Sequence, residues 1–94
     1  MINTINQYAN ITTQTTTQVF TGACTLVSIV VNTSAAGTIK LIDGTSGVTA
    51  NIGTITCGNA ELGVTNYDYN ISLANGIRIV TSVAMDITVV YRSH

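Results

Sequence analysis

Charged side chains are scarce in this sequence. Asp, Glu, Lys and Arg make up 7% of its 94 residues, against roughly 25% in a typical globular protein. Apolar residues still reach 46%, which is not the composition of a disordered segment. Thr, Asn, Ser and Gln supply most of the polar surface, and a neutral surface resists association less well than a charged one. We therefore expect other subunits to cover much of it, the alternative being a monomer solubilised by neutral polar groups.

Positive charge is especially rare, since Lys40, Arg78 and Arg92 are the only fixed cations and the formal net charge is −1. A nucleic-acid-binding protein neutralises several phosphates with Lys and Arg, and an anionic membrane surface attracts a similar cluster. Three scattered cations argue against both partners. The longest apolar region, residues 19–31, is interrupted by Thr, Gly and Ser and is too short to span a bilayer. The opening Met-Ile-Asn-Thr lacks the basic start of a signal peptide, so we expect maturation in a cytoplasm.

An internal histidine is also missing. His94 is the last residue, where we expect disorder, so no Ser-His-Asp or Cys-His nucleophile system can be assembled. The carboxylates lie in a predicted turn (Asp43), in a predicted loop (Glu61) and at outward strand positions (Asp68 and Asp86). Solvated or turn-capping roles are expected there in place of a glycosidase pair or a calcium site. The sequence therefore predicts no catalytic residue, no cofactor and no metal site, and a protein that is not an enzyme.

Cysteine is limited to Cys24 and Cys57. Two isolated cysteines do not form a disulfide framework, and without a CxxC pair they offer no zinc or redox site. We expect buried free thiols, the alternative being a single bridge between the two.

Proline is absent, while Thr, Val and Ile, whose β-branched side chains favour strands over helices, are abundant. Apolar residues recur with a period of two, and no segment carries a 3.6-residue stripe. Residues 67–74 and 85–91 alternate most regularly, with their odd-numbered side chains predicted to face inward. Asn75-Gly76 lies between two apolar runs, which is the strongest short hairpin signal. Residues 67–74 and 77–82 are therefore predicted to pair as an antiparallel hairpin.

The middle of the chain follows the same pattern. Residues 26–31 (LVSIVV) are apolar on both faces, which predicts a central strand covered on both sides. Residues 43–47 (DGTSG) read as a turn, and the phase shift across Gly53 suggests a bulge. Residues 57–66 are expected to form a longer loop. Seven or eight short strands with turns every eight to twelve residues predict an all-β fold, here a small antiparallel β-sandwich, jelly-roll or Ig-like, spanning residues 19–94.

The first 18 residues differ from the rest. Apolar residues recur there every three positions, a spacing that fits neither a strand nor a helix well, and a Thr- and Gln-rich stretch follows. We predict an extended N-terminal arm over residues 1–18 that lies on a neighbouring subunit, the alternative being a frayed terminus. The candidate residues for this intermolecular face are Ile2, Ile5, Tyr8 and Ile11.

Aromatic residues give little sign of a sugar-binding site, which would need exposed rings for stacking. Tyr67, Tyr69 and Tyr91 fall on inward strand positions and are predicted to be core. Tyr8 is the one exposed candidate, and it lies in the predicted arm.

Two stretches carry a resemblance to known proteins. GACTLVSIVVNTSAAGTIKLIDGTSG (residues 22–47) and NGIRIVTSVAMDITVVYR (residues 75–92) resemble a group of small virion proteins of tailed bacteriophages. The resemblance covers about half of the chain and excludes the predicted arm and the loop at residues 57–66, the regions expected to determine docking. It implies a β-sandwich on the outside of a capsid, without catalytic residues, as a decoration (cement) protein or near the base of a fibre.

The resemblance implies a capsid decoration protein on the outer surface of a virion that is assembled in the host cytoplasm, and the low charge and the predicted arm agree with it. It would bind the major capsid protein, stabilise contacts between capsomers, and act as a homotrimer around a three-fold axis. Deleting residues 1–14 is expected to weaken capsid attachment and leave the fold intact. The alternatives are a receptor- or glycan-binding module of a phage fibre, and a tail or adaptor subunit that forms rings or stacks.

Overall fold

A computed structural model describes residues 5–45, 48–58 and 64–94, and in these residues the chain forms β-strands and no helix. The all-β prediction is confirmed. No helix long and apolar enough to cross a membrane occurs in these ranges. The strands are β1 (Gln7–Ile11), β2 (Thr16–Thr21), β3 (Cys24–Thr33), β4 (Gly37–Thr45), β5 (Val48–Cys57), β6 (Thr65–Leu73), β7 (Gly76–Thr81) and β8 (Asp86–Ser93).

The strands form two four-stranded sheets in which every neighbouring pair is antiparallel. Sheet A has the order β1-β8-β3-β6 and sheet B the order β2-β7-β4-β5. The pairing is nested, because β1 pairs with β8, β2 with β7, β3 with β6 and β4 with β5. The chain therefore behaves as one long hairpin that is folded over so that its strands alternate between the two sheets.

One buried cluster joins the two sheets in a sandwich-like packing. The alternation predicted this cluster well, since a strand that packs on one face buries every second side chain. Ile39 and Leu41 of β4 are fully buried on either side of exposed Lys40. The cluster consists of Ile11, Cys24, Leu26, Ile29, Val31, Ile39, Leu41, Ile55, Leu73, Ile77, Ile79, Met85, Ile87 and Val89.

Strand β3 is central, as predicted, but only one of its faces packs on the core. Its register with both neighbouring strands shifts between Leu26 and Ser28. Val27 is the extra residue in the pairing with β8, and the buried positions change there from Cys24 and Leu26 to Ile29 and Val31. A bulge that changes the phase explains why the strand looks apolar on both faces in the sequence.

The predicted hairpin at Asn75-Gly76 is wrong. Strand β6 pairs with β3 in sheet A, whereas β7 lies between β2 and β4 in sheet B. The dipeptide is instead a crossing between the sheets, and other elements hold it there. The Asp43 carboxylate accepts hydrogen bonds from the backbone N–H of Ala74 and of Asn75, and the Asn75 carbonyl accepts one from Gly22.

Strands β4 and β5 form a hairpin that differs slightly from the prediction. Asp43 and Gly44 still belong to β4 and do not start a turn, because they pair with Ala50 and Thr49, and Thr45 pairs with Val48. The expected bulge is present, because Ile52 is the unmatched residue beside Gly53. The predicted loop over residues 57–66 lies partly outside the described residues, and Cys57 ends β5 while Thr65 begins β6.

Residues 7–11 lie on the sandwich of their own chain. They are extended, as predicted, but they form β1, which pairs along its whole length with β8. The segment between β1 and β2 crosses from sheet A to sheet B, and the buried Thr81 hydroxyl holds it in place. This hydroxyl donates to the Thr13 carbonyl at 2.7 Å and accepts from the Thr15 N–H at 3.0 Å. The predicted boundary at residue 18 falls within β2.

Candidate interaction surface

The described aspartate side chains all accept hydrogen bonds from within the chain. Asp43 anchors the crossing between the sheets. Asp68 accepts a hydrogen bond from the side chain of Asn66 at 3.1 Å, and Asp86 accepts one from Asn10 at 2.7 Å. In residues 5–45, 48–58 and 64–94, no group of three or more His, Cys, Asp and Glu could hold a metal ion. Glu61 lies outside the described residues.

His94 is ordered, contrary to the expectation of a disordered end. Its backbone N–H donates to the Ala23 carbonyl at 3.2 Å, which continues the pairing of β8 with β3. Its Nε2 lies 2.6 Å from the Thr25 hydroxyl. This hydrogen bond positions an exposed imidazole at the end of a sheet, where no described carboxylate is bonded to it.

The two cysteines are free thiols, as predicted. Cys24 is fully buried in the core and Cys57 is half-buried. Burial raises the pKa of both thiols, and the negative charge of Asp43 raises the pKa of Cys24 further. Since the thiolate is the reactive form, neither thiol is activated as a nucleophile.

Thiol labelling should therefore separate the two cysteines. In native protein at mildly alkaline pH, we expect Cys57 to react with a thiol reagent and Cys24 to react about 100-fold more slowly, because its reaction requires the fold to open. Mass spectrometry of the labelled chain, with Cys24→Ala and Cys57→Ser variants to assign the phases, measures both rates. Equal rates would contradict the burial of Cys24.

The tyrosines fall into a partly buried group and one exposed residue, as the alternation predicted. Tyr67, Tyr69 and Tyr91 are partly buried and pack against the core, and the Tyr91 ring lies 5.6 Å from that of Phe20 in the opposite sheet. Tyr8 is 74% exposed. It is the one large aromatic side chain that the described surface offers to a partner.

Of the predicted intermolecular residues that the structure describes, Ile5 and Tyr8 are exposed. Ile5 is 71% exposed and Tyr8 is 74% exposed, whereas Ile11 is 5% exposed and belongs to the core of its own chain. Ile2 lies outside the described residues. The correction for Ile11 has a simple cause: in a strand, residues three apart point to opposite faces, so Tyr8 and Ile11 cannot share one.

Sequence reasoning missed a hydrogen-bond network on the outer face of sheet A. The amides of Asn10 and Asn32 both donate to Asp86 Oδ1, at 2.7 and 3.3 Å, and Asn32 also donates to the Thr88 hydroxyl at 3.0 Å. The network joins β1, β8 and β3. It depends on register, since Asn10 lies opposite Thr88, and no sequence pattern gives that register.

The candidate interaction surface is the edge of sheet A formed by β1. We call the exposed residues Ile5, Gln7, Tyr8 and Asn10 the β1 edge surface. It carries no charge, and its nearest carboxylate, Asp86, is already bonded to Asn10. Such a surface can pack against and hydrogen-bond to another protein. No protein-family model and no curated protein matches the chain.

Proposed function

We propose that this chain is a non-enzymatic structural protein of a virion, a decoration protein that binds the outer capsid surface and stabilises contacts between capsomers. The observation that carries the proposal is the nested strand order, β1-β8-β3-β6 over β2-β7-β4-β5. It supports the jelly-roll option for the sandwich, an architecture found in viral capsid and lectin domains. The Ig-like option would place β1 beside β2, whereas here they lie in different sheets.

The mechanism would be burial of neutral surface between subunits. A neutral surface loses little charge hydration on docking, and many copies on a lattice make weak contacts add through avidity. The major capsid protein is the proposed partner, and the homotrimer expected around a three-fold axis remains the proposed assembly unit. Ile5 and Tyr8 are the proposed capsid contacts, because they are the large apolar side chains that the β1 edge surface leaves exposed.

Binding to cognate capsids that lack the protein tests this proposal. We expect wild-type chain to co-sediment with them, and an Ile5→Ser/Tyr8→Ser variant to bind about tenfold or more weakly, as for a central interface residue. The matched control is Val64→Ser, which removes an apolar side chain that is 66% exposed immediately before β6. Absence of saturable binding by the wild-type chain would contradict the decoration role, and equal binding by both variants would contradict the proposed contacts.

A glycan-binding module is the second candidate, because jelly rolls also occur in lectins and Tyr8 is an exposed ring. Tyr8 and Asn10 lie on the same outer face, so a stacked sugar would have an amide beside it. A glycan array separates the two functions. Saturable binding to one class of sugar, lost in Tyr8→Ser, would favour the module, and its absence together with capsid binding would favour decoration.

A further inference from the structure

Two four-stranded sheets leave four edge strands, which are β1 and β6 in sheet A and β2 and β5 in sheet B. An edge strand presents a row of backbone N–H and C=O groups that can pair with another strand. Proteins block this with charged residues, proline, bulges or covering segments. The four edges of this molecule differ in which of these devices they carry.

Three of the edges are interrupted. In β2 the register shifts at Val19, and in β5 it shifts at Ile52. In β6 the register shifts opposite Val27, Asn70 adopts a positive φ of 51°, and Asp68 adds an exposed charge. Each irregularity breaks the even spacing of backbone groups that an added strand would need.

Strand β1 is the exception. Its five residues pair with β8 one to one from Gln7–Tyr91 to Ile11–Ile87, without a register shift. The sequence QYANI contains no charge, no proline and no glycine. Among the residues that the structure describes, no strand pairs with its outer side. This edge alone keeps the geometry and the neutrality that strand addition requires.

We propose that β1 pairs with β1 of a second copy of this chain, antiparallel and about a two-fold axis at Ala9. The identical strand is the favoured occupant because any other edge of the second copy would present an irregularity, and because two neutral strands meet without repulsion between like charges. The contact is isologous, so it closes on itself in pairs. The two copies of sheet A then form one continuous eight-stranded sheet.

The register follows from the two-fold axis. Ala9 lies opposite Ala9 of the second copy, and Tyr8 lies opposite Asn10 of the second copy on the outer face. Gln7 lies opposite Ile11 of the second copy on the inner face. The Tyr8 rings remain on the outer surface, so the pairing is compatible with capsid contacts through the same residue.

This inference does not rest on the proposed function. A two-fold contact through β1 is separate from a three-fold axis, and the mass of the purified chain reports on it without a capsid. With β1 pairing alone, the chain forms dimers of about twice its 9.8 kDa mass. If trimers also exist, β1 joins them into larger particles, and blocking β1 returns the mass to that of a trimer.

Light scattering after size exclusion, from micromolar to millimolar concentration, tests the pairing. Tyr8→Lys/Asn10→Lys places two lysines opposite each other at both ends of the contact, and we expect the dissociation constant to rise about tenfold or more. Asn66→Lys/Ser72→Lys is the matched control, since it adds the same charge at exposed positions of the other sheet A edge. The Lys/Glu variant, Tyr8→Glu/Asn10→Lys, places opposite charges across the axis, keeps a donor beside Asp86 at position 10, and should restore association. Thermal unfolding of each variant verifies that the fold persists.

Three results together would support the pairing: the molecular mass in solution falls in the double-lysine variant, stays at the wild-type value in the control, and returns to the wild-type value in the Lys/Glu variant. A wild-type chain that stays monomeric at millimolar concentration would overturn it. So would a double-lysine variant that associates like wild type, a control that loses mass equally, or a Lys/Glu variant that fails to restore association.

Discussion

Deleting residues 1–14 is expected to lower the free energy of unfolding by about 4–6 kcal/mol. The deletion removes β1, whose Ile11 side chain is worth about 1.5–3 kcal/mol when buried. It also removes the Asn10 hydrogen bonds to Asp86 and to the Ile87 carbonyl, and the Thr13 carbonyl that accepts from buried Thr81, at about 1 kcal/mol each. The total free energy of unfolding of a domain is only about 5–15 kcal/mol. Urea denaturation followed by circular dichroism measures the loss.

Two point variants separate the contributions of the buried and the exposed side chains of β1 to this loss of stability. Ile11→Ala should cost about 2–4 kcal/mol, because it leaves a cavity in the shared core. Tyr8→Ala, three residues away on the same strand, should cost no more than about 0.5 kcal/mol, because that side chain is exposed. A deletion variant with the midpoint of the full chain would mean that β1 adds nothing to the sandwich. For this reason reduced capsid binding by such a deletion would not identify a contact, and the side-chain variants Ile5→Ser/Tyr8→Ser are the sharper test.

Alternation made the core predictable, because it depends only on neighbours along one strand. The odd-numbered positions of β8 from Ile87 to Tyr91 and the Ile77 and Ile79 positions of β7 face inward as expected. The pattern fails where an extra residue changes the phase, as at Val27 in β3. A bulge of this kind leaves no signature when the residues around it are apolar on both faces.

Which strands pair was not predictable in the same way. Asn75-Gly76 has the composition of a hairpin turn, and local preference alone places β6 beside β7. Contacts outside the dipeptide determine which strands pair. The Asp43 carboxylate on β4 accepts hydrogen bonds from the backbone N–H of Ala74 and Asn75, and the Gly22 N–H donates to the Asn75 carbonyl. These contacts join residues about 30 to 50 positions apart, so they enter only once the whole chain is folded.

The candidate surface was predicted in part. Ile5 and Tyr8 are exposed as expected, but Ile11 is buried because a three-residue spacing alternates between the two faces of a strand. Among the described strands, β1 differs from the other three edges because those edges contain register shifts. The sequence does not reveal this difference, because it depends on how the strands pair.

The second large effect is expected at the crossing itself, where Gly76→Ala should cost about 3 kcal/mol or more. Gly76 has a φ of 142°, a conformation that residues with a side chain rarely adopt and that costs about 1–3 kcal/mol. A Cβ at this position would also collide with the Phe20 carbonyl of β2 and lie 3.3 Å from the amide nitrogen of Gln18. A carbonyl in a paired strand cannot move away without breaking its ladder, so the strain is not relieved locally.

Two other glycines separate the sources of this cost. At Gly22, φ is 115° but the nearest atom to a Cβ is in the Phe20 ring at 3.8 Å, so Gly22→Ala should cost the backbone strain alone, about 1–2 kcal/mol. At Gly53 nothing lies within 4 Å and φ is not positive, so Gly53→Ala should be neutral or stabilise by about 0.5 kcal/mol. The denaturant midpoint should therefore be highest for Gly53→Ala, lower for Gly22→Ala and lowest for Gly76→Ala. If Gly76→Ala matched Gly22→Ala, the Phe20 carbonyl would not be the obstacle. If all three matched wild type, the crossing would be loose, and β6 and β7 would be free to form the hairpin that their connecting residues favour.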